Sequence, residues 1–135
     1  MPPHTIFHLV EKSVWQNAKN DYTPATYKQD GFIHATAEPG LLLPVANHFY
    51  AEVPGAFLCL AIDSLRIGAE VRYESATPVG DKPAMTGDQL TAAAEQLFPH
   101  IYGPLPREAV MAELAVTRSE DGTFLAIEGA EARTA

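Results

Sequence analysis

The sequence contains a single cysteine, Cys59, among its 135 residues. One cysteine cannot form a disulfide within the chain, so the fold must depend on a hydrophobic core instead of on covalent cross-links. Cys59 lies inside the apolar run 56–62, and we interpret its thiol as buried in the core. The length is that of one domain, and 47% of the residues are hydrophobic, which is ordinary for a globular protein.

Basic residues are also few. Nine Lys and Arg stand against seventeen Asp and Glu, which gives a formal net charge of −8. The basic residues are scattered singly, so no basic face is available to neutralise a phosphate backbone, and extended nucleic-acid binding is excluded. One or two basic side chains with a few backbone N–H groups can still hold a pyrophosphate, so a small nucleotide-like ligand remains open.

Long apolar segments are missing as well. No run approaches the roughly 20 residues that cross a bilayer, and the first residues lack the basic and apolar regions of a signal peptide. We therefore expect a cytoplasmic protein with no membrane partner. The sequence also lacks a phosphate-binding glycine loop, a dinucleotide fingerprint, a nucleophile elbow and a cysteine-based zinc motif.

Strand and helix patterns alternate along the chain, which predicts one α+β domain over residues 1–135 with a split and strongly bent β-sheet and short flanking helices. Period-two and β-branched patterns predict strands at 5–10, 32–36, 56–62 and 70–74 and a hairpin over 109–127. Helical spacing predicts helices at 14–19, with Ser13 as its cap, at 41–50 and at 89–97.

Three further expectations concern the arrangement of these segments. The run 56–62 should be a central strand, and it should share one sheet with 70–74. Proline and glycine make 75–87 a surface loop that could act as a lid, and they make 98–106 an irregular, site-forming segment. The tail 128–135 should be loose.

Polar residues in apolar surroundings are the candidates for chemistry. His8 and His34 each lie on a predicted strand, and alternation places each on the face opposite to its neighbours. Taken alone, a strand histidine is more often a hydrogen-bonded structural residue, but His8, His34 and His100 together favour a site. Glu74 either faces water or pairs with Arg72, or lies in a cleft where it stabilises positive charge.

The order of several motifs along residues 5–112 resembles the bacterial Domain-of-Unknown-Function 952 family. The segments that carry the resemblance are Ile6-Phe7-His8-Leu9, Trp15, Tyr22-x-Pro24, Gly31-Phe32-Ile33-His34-Ala35-Thr36, Tyr73-Glu74 and Phe98-Pro99-His100-Ile101-Tyr102. That family is similar to the ADP-ribosyltransferase superfamily, whose split sheet clasps NAD. The resemblance implies NAD as a substrate, without a tightly bound cofactor, and reaction at the anomeric carbon of a ribose.

The resemblance also implies roles for individual residues. His8 and Thr36 would bind the ribose of the cofactor, and Tyr102 would stack on a ring. The catalytic group would be His34, Glu74 and His100, with the histidines contacting phosphate or acting as acid or base and Glu74 stabilising the sugar cation. Two alternatives stay open, namely a non-catalytic nucleotide-binding module and a metal-dependent hydrolase that uses the same histidines.

Overall fold

The computed structural model describes residues 4–84 and 97–130. Within these residues the fold consists of seven strands in two antiparallel sheets and three short α-helices. The strands are β1 (Thr5–Glu11), β2 (Ile33–His34), β3 (Phe57–Asp63), β4 (Glu70–Glu74), β5 (Phe98–Tyr102), β6 (Val110–Arg118) and β7 (Phe124–Ile127). The helices are α1 (Lys12–Asn17), α2 (Tyr27–Asp30) and α3 (Leu42–Phe49), the last preceded by a 3-10 turn over Pro39–Leu41.

The larger sheet has the strand order β1-β3-β6-β7. β3 pairs with β1 along its whole length and with β6 on its other side, so the predicted central position of this apolar strand is confirmed. The predicted C-terminal hairpin is confirmed as β6 and β7. The prediction of a loose tail is wrong for its first residues, because the Glu128 N–H bonds to the Ala115 carbonyl at 3.0 Å and Ala130 is buried in the core.

The smaller sheet has the order β2-β5-β4, and it corrects two predictions. β4 does not share a sheet with β3. The segment predicted to be irregular contains β5, a central strand, despite Pro99. The Pro99 carbonyl accepts from the Ala35 N–H, and in an antiparallel strand the N–H and C=O of one residue point to the same neighbour. The missing N–H of Pro99 therefore faces the end of the two-residue β2, and pairing with β4 continues.

The two sheets meet where Phe7 and Thr36 exchange two backbone hydrogen bonds of 2.8 Å. This bridge joins the edge strand β1 to the chain just after β2, which confirms a single α+β domain built on a curled, divided antiparallel sheet. One core cluster contains residues of both sheets, such as Ile62 and Ile101, and a second packs α3 against the larger sheet through Leu42 and Ala46.

The helix predictions hold in outline. α3 lies within the predicted range 41–50, whereas α1 begins at Lys12 and Ser13 does not cap it. The four-residue α2 was not predicted. The helix predicted for 89–97 falls, apart from Leu97, outside the described residues, and the loop prediction holds for 75–84. Within 4–84 and 97–130, no helix is long and apolar enough to span a membrane.

Candidate functional site

His34 and His100 form the centre of the candidate site. They are directly opposite each other in the β2–β5 register, so their side chains share one face of the smaller sheet. Their rings meet edge to face with centroids 5.5 Å apart. Phe32 stacks on the His100 ring at 4.1 Å and also contacts His34 at 4.7 Å. The sheet register therefore brings together two histidines that are far apart in the sequence.

Asp30 holds the ring of His34. Gly31 adopts a left-handed conformation (φ 85°) that ends α2 and turns the chain toward β2. Nε2 of His34 consequently lies 2.8 Å from Oδ2 of Asp30. An ionised carboxylate only accepts hydrogen bonds, so Nε2 carries the proton and Nδ1 of a neutral His34 is an acceptor. Burial lowers the pKa of His34, and the hydrogen bond that His34 donates to Asp30 opposes that effect.

Glu74 holds the ring of His100 in the same way. Nδ1 of His100 donates to Oε1 of Glu74 at 2.8 Å, and the Tyr102 hydroxyl donates to the same oxygen at 2.5 Å. The hydrogen bond from Tyr102, followed by that from His100, lowers the pKa of Glu74 and keeps it ionised at neutral pH. Arg72 pairs with Glu70 instead, so the surface pairing of Glu74 with Arg72 is not observed.

His8 lies beside this pair of histidines and has both ring nitrogens engaged. Nδ1 is 2.6 Å from the His34 carbonyl oxygen, which can only accept, so Nδ1 is protonated. Nε2 then accepts from the Tyr22 hydroxyl at 2.9 Å. Burial lowers the pKa of His8 to about 4, so the ring is neutral at neutral pH. The buried hydroxyl of Tyr22 has a raised pKa for the same reason.

A cavity of about 40 Å³ opens between the two sheets at these residues. His8, His34, Thr36 and His100 line it together with apolar side chains from α3 and the 75–84 loop. A second cavity of about 100 Å³ lies beside it. The walls common to both are His8, Leu9, His34, Tyr50 and Val79, so the two cavities are adjacent compartments of one cleft.

The predicted site residues thus divide into two groups. His8, His34, Thr36 and His100 line the first cavity. Glu74 and Tyr102 do not line it, but hydrogen bonds connect them to His100. The Tyr102 ring contacts both Phe32, with centroids 5.2 Å apart, and the Arg72 guanidinium, whose carbon lies 4.7 Å from the ring centroid. The roles of these residues stay predictions.

Sequence reasoning missed Asp30 and Tyr22 as partners of the histidines. Asp30 precedes His34 by four residues, a spacing that gives a usable signal only if a helical turn is assumed there. The contact of Tyr22 depends on its bridge to Leu105 and had no local signal.

Among residues 4–84 and 97–130, no three His, Cys, Asp or Glu side chains are grouped so that they could hold a metal ion. His34 and His100 each bind a carboxylate of their own, and His8 has neither nitrogen free. The metal-dependent hydrolase hypothesis therefore lacks a ligand set in the described part of the chain.

The sequence profile of the family described as "Protein of unknown function (DUF952)" matches residues 9–113. The chain belongs to the DUF952 family. The match covers Asp30, His34, Glu74, His100 and Tyr102 and starts one residue after His8. It contains no information about activity, so the roles of these residues depend on their geometry.

Solved structures of protein CC0527 from Caulobacter crescentus have a similar fold. The crystal structure is 22% identical, covers 90% of this chain and 93% of its own, and superposes with a TM-score of 0.65. A double mutant of that protein gives the same values. The solution structure is 21% identical over 88% and 90% of the two chains, with a TM-score of 0.59. No curated protein gave a significant match.

Proposed function

We propose that this DUF952 protein is an enzyme that binds NAD or another ADP-ribose-containing nucleotide and acts at the anomeric carbon of its ribose, as a distant relative of the ADP-ribosyltransferases. The observation that carries the proposal is the Glu74–His100 pair at the cavity. The carboxylate fixes the proton on Nδ1 of His100, so Nε2 of the neutral ring is a base on a side chain that lines the cavity.

The chemistry proposed for this pair is general acid–base catalysis. His100 would take a proton from the attacking nucleophile or give one to the leaving group, and Glu74 would stabilise the imidazolium that forms. Positive charge also develops on the sugar ring when the bond at the anomeric carbon breaks. The ionised carboxylates of Glu74 and Asp30, held behind His100 and His34, would favour that charge.

Binding roles follow from the cavity walls. Thr36 lines the cavity and could hold a ribose hydroxyl, and His34 presents Nδ1 as an acceptor. His8 can bind the ribose only by exchanging its hydrogen bond with Tyr22 for one with the ligand, since both of its nitrogens are engaged. Tyr102 would have to offer the ligand the edge of its ring or a face exposed by movement of Arg72.

The size of the cleft limits which part of a nucleotide enters. Its compartments of about 40 and 100 Å³ are small beside the roughly 300–1,000 Å³ of pockets that enclose drug-sized ligands. The reacting ribose or its leaving group would enter, and the adenylate would lie outside. A cytoplasmic location remains part of this proposal.

Incubation of the protein with NAD or ADP-ribose, followed by chromatographic separation of the nucleotides, tests the proposal. We expect a product whose rate of formation falls at least 100-fold in His100→Gln, because general acid–base groups contribute about 10²–10⁴-fold. The exposed His4 gives the matched control, and His4→Gln should keep the wild-type rate. Failure to convert either nucleotide would contradict the proposal.

A non-catalytic binding module is the second candidate. It is favoured by the His8–Tyr22 hydrogen bond, which uses the ring of His8 as a fixed structural element, and by the many apolar side chains of the cavity wall. The same incubation separates the two candidates when it is combined with a calorimetric titration. Saturable binding of ADP-ribose without any product would favour the module.

A further inference from the structure

Thr77 carries a polar group that lacks a partner. Its hydroxyl oxygen is buried, and no hydrogen bond to it is found in the part of the chain that the structure describes. The residue belongs to the 75–84 loop and lines the smaller cavity together with His34 and His100. A buried hydroxyl without a partner costs free energy, which a ligand atom placed in the cavity would recover.

The charges around the cleft are unfavourable for an anion. Within 4–84 and 97–130, neither compartment is lined by a Lys or Arg, whereas Glu11 lines the larger one. Residues 85–96 add two acidic residues to the sequence but no basic one. Burial lowers the pKa values of His8 and His34, so both are neutral at neutral pH. Any positive charge on His100 would already be paired with Glu74.

An anionic group that entered the cleft would therefore lose its hydration without gaining a free cation as a partner, which is strongly unfavourable. An uncharged group with a hydrogen-bonding atom would lose less hydration free energy than an anion and would form a hydrogen bond with the Thr77 hydroxyl. A cationic group would in addition be attracted by the carboxylates of Glu11, Asp30 and Glu74. The small compartments fit a compact group of a few heavy atoms.

We infer that the cleft binds an uncharged or cationic hydrogen-bonding group, anchored by the Thr77 hydroxyl, and excludes anionic groups such as phosphates. The inference rests on the proposed function in that it concerns the same cleft, and it names the chemical class of the group bound there. In a nucleotide ligand, the pyrophosphate would lie outside the two compartments.

Three probes of equal size and shape test the charge selectivity: acetamide is neutral, acetamidinium is cationic and acetate is anionic. Each is titrated into the full ¹⁵N-labelled chain at pH 7 and constant ionic strength, and amide shifts are followed. We expect saturable shifts at the cavity walls with acetamide and acetamidinium, and at least tenfold weaker binding of acetate. Equal or tighter binding of acetate, or no saturable shift with either other probe, would overturn the inference.

Variants of Thr77 test the anchor. Thr77→Val keeps the shape but removes the hydroxyl, and it should weaken acetamide binding about threefold to tenfold, the usual value of one hydrogen bond. Thr77→Ser keeps the hydroxyl and should bind within about twofold of wild type. Thr117→Val, at a position on β6 that lines neither cavity, is the matched control. Unchanged acetamide binding in Thr77→Val would contradict the role of the hydroxyl.

A stability measurement separates an anchor from a structural residue. Without ligand, Thr77→Val should unfold at the wild-type temperature or above it, because a buried unpaired hydroxyl is replaced by a methyl group. A lower temperature would show that Thr77 has a structural partner and would overturn the inference. If the protein binds acetamide but converts neither NAD nor ADP-ribose, this inference holds and the proposed function is refuted. Failure of the inference can therefore be distinguished from failure of the proposed function.

Discussion

Nδ1 of His100 lies 2.8 Å from Oε1 of Glu74, and the same oxygen accepts the Tyr102 hydroxyl. This relationship decides the protonation of the ring at the cavity, because a carboxylate oxygen accepts and the facing nitrogen must donate. In His34 the other ring nitrogen donates to the carboxylate: Nε2 donates to Asp30. In their neutral forms the two neighbouring imidazoles thus keep different nitrogens as acceptors, Nε2 of His100 and Nδ1 of His34.

Tyr102→Phe should raise the pKa of Glu74, because the hydrogen bond from Tyr102 is the largest cause of its lowering. A carboxyl group whose pKa is lower in the folded state than in the unfolded chain stabilises the fold at pH values above the unfolded pKa. This stabilisation is lost as the pH falls through the folded pKa. Wild type should therefore be more stable than Tyr102→Phe at pH 7, with the difference shrinking in acid. Carboxyl ¹³C titration measures the pKa, and an unchanged value would contradict this assignment.

The buried His8 should make the protein sensitive to mild acid. Its pKa is about 4 in the folded state against an ordinary 6.5, so the unfolded chain binds the proton first and the free energy of unfolding falls as the pH drops from 6.5 to 4. The full effect is about 3 kcal/mol. Urea unfolding at a series of pH values should show that the free energy of unfolding of His8→Gln depends less on pH than that of the wild type. Equal slopes in both proteins would show that His8 is not buried and neutral.

Tyr22→Phe should destabilise the fold by about 1–3 kcal/mol, because it removes the only donor to the buried Nε2 of His8 that the described residues provide. Tyr73→Phe is the matched control, since the Tyr73 side chain is exposed. Urea unfolding at pH 7 measures both. Similar small losses in the two variants would mean that water replaces the Tyr22 hydroxyl without cost.

Gly122 should be much less tolerant of alanine than Gly55. Both have nearly the same left-handed φ, 97° and 99°, which costs a side-chain-bearing residue about 1–2 kcal/mol. A Cβ at Gly122 would lie 2.2 Å from the Ala51 carbonyl oxygen, whereas a Cβ at Gly55 meets nothing within 4 Å. Gly122→Ala should therefore lower the free energy of unfolding by about 1 kcal/mol or more beyond the loss in Gly55→Ala, as measured by thermal or urea unfolding. Equal losses would contradict the close approach of the 51 and 122 backbones.

The sequence predicted most strands, because their patterns are local. The apolar run at β3 and the alternation at β4 determine each strand, but they do not determine its partners. β3 and β4 were expected in one sheet and lie in two, since pairing depends on which distant strands complete each core. β5 was missed because Pro99 argues against a central strand unless its missing N–H is known to face the end of a short neighbouring strand, here β2.

The candidate site was predicted as a set of residue types and not as a geometry. The predicted site contained His8, His34, Thr36, Glu74, His100 and Tyr102. The first three and His100 line one cavity, whereas Glu74 and Tyr102 do not line it. Asp30 and Tyr22, the side-chain hydrogen-bond partners of His34 and His8, could not be predicted, because one depends on the turn at Gly31 and the other on a bridge to Leu105. The first requires the local conformation of the chain at Gly31, and the second a contact between distant segments.

The central claim is that Nε2 of His100 is the basic nitrogen presented to a ligand in the cavity. A long-range ¹H–¹⁵N spectrum of the histidine side chains, recorded without ligand and with saturating ADP-ribose, tests it most directly. The account predicts the Nδ1–H tautomer for His100 in the free protein and a shift of its Nε2 resonance on binding, with the exposed His4 unchanged. A free-protein ring protonated on Nε2 alone, or no response of that nitrogen to bound ligand, would contradict it.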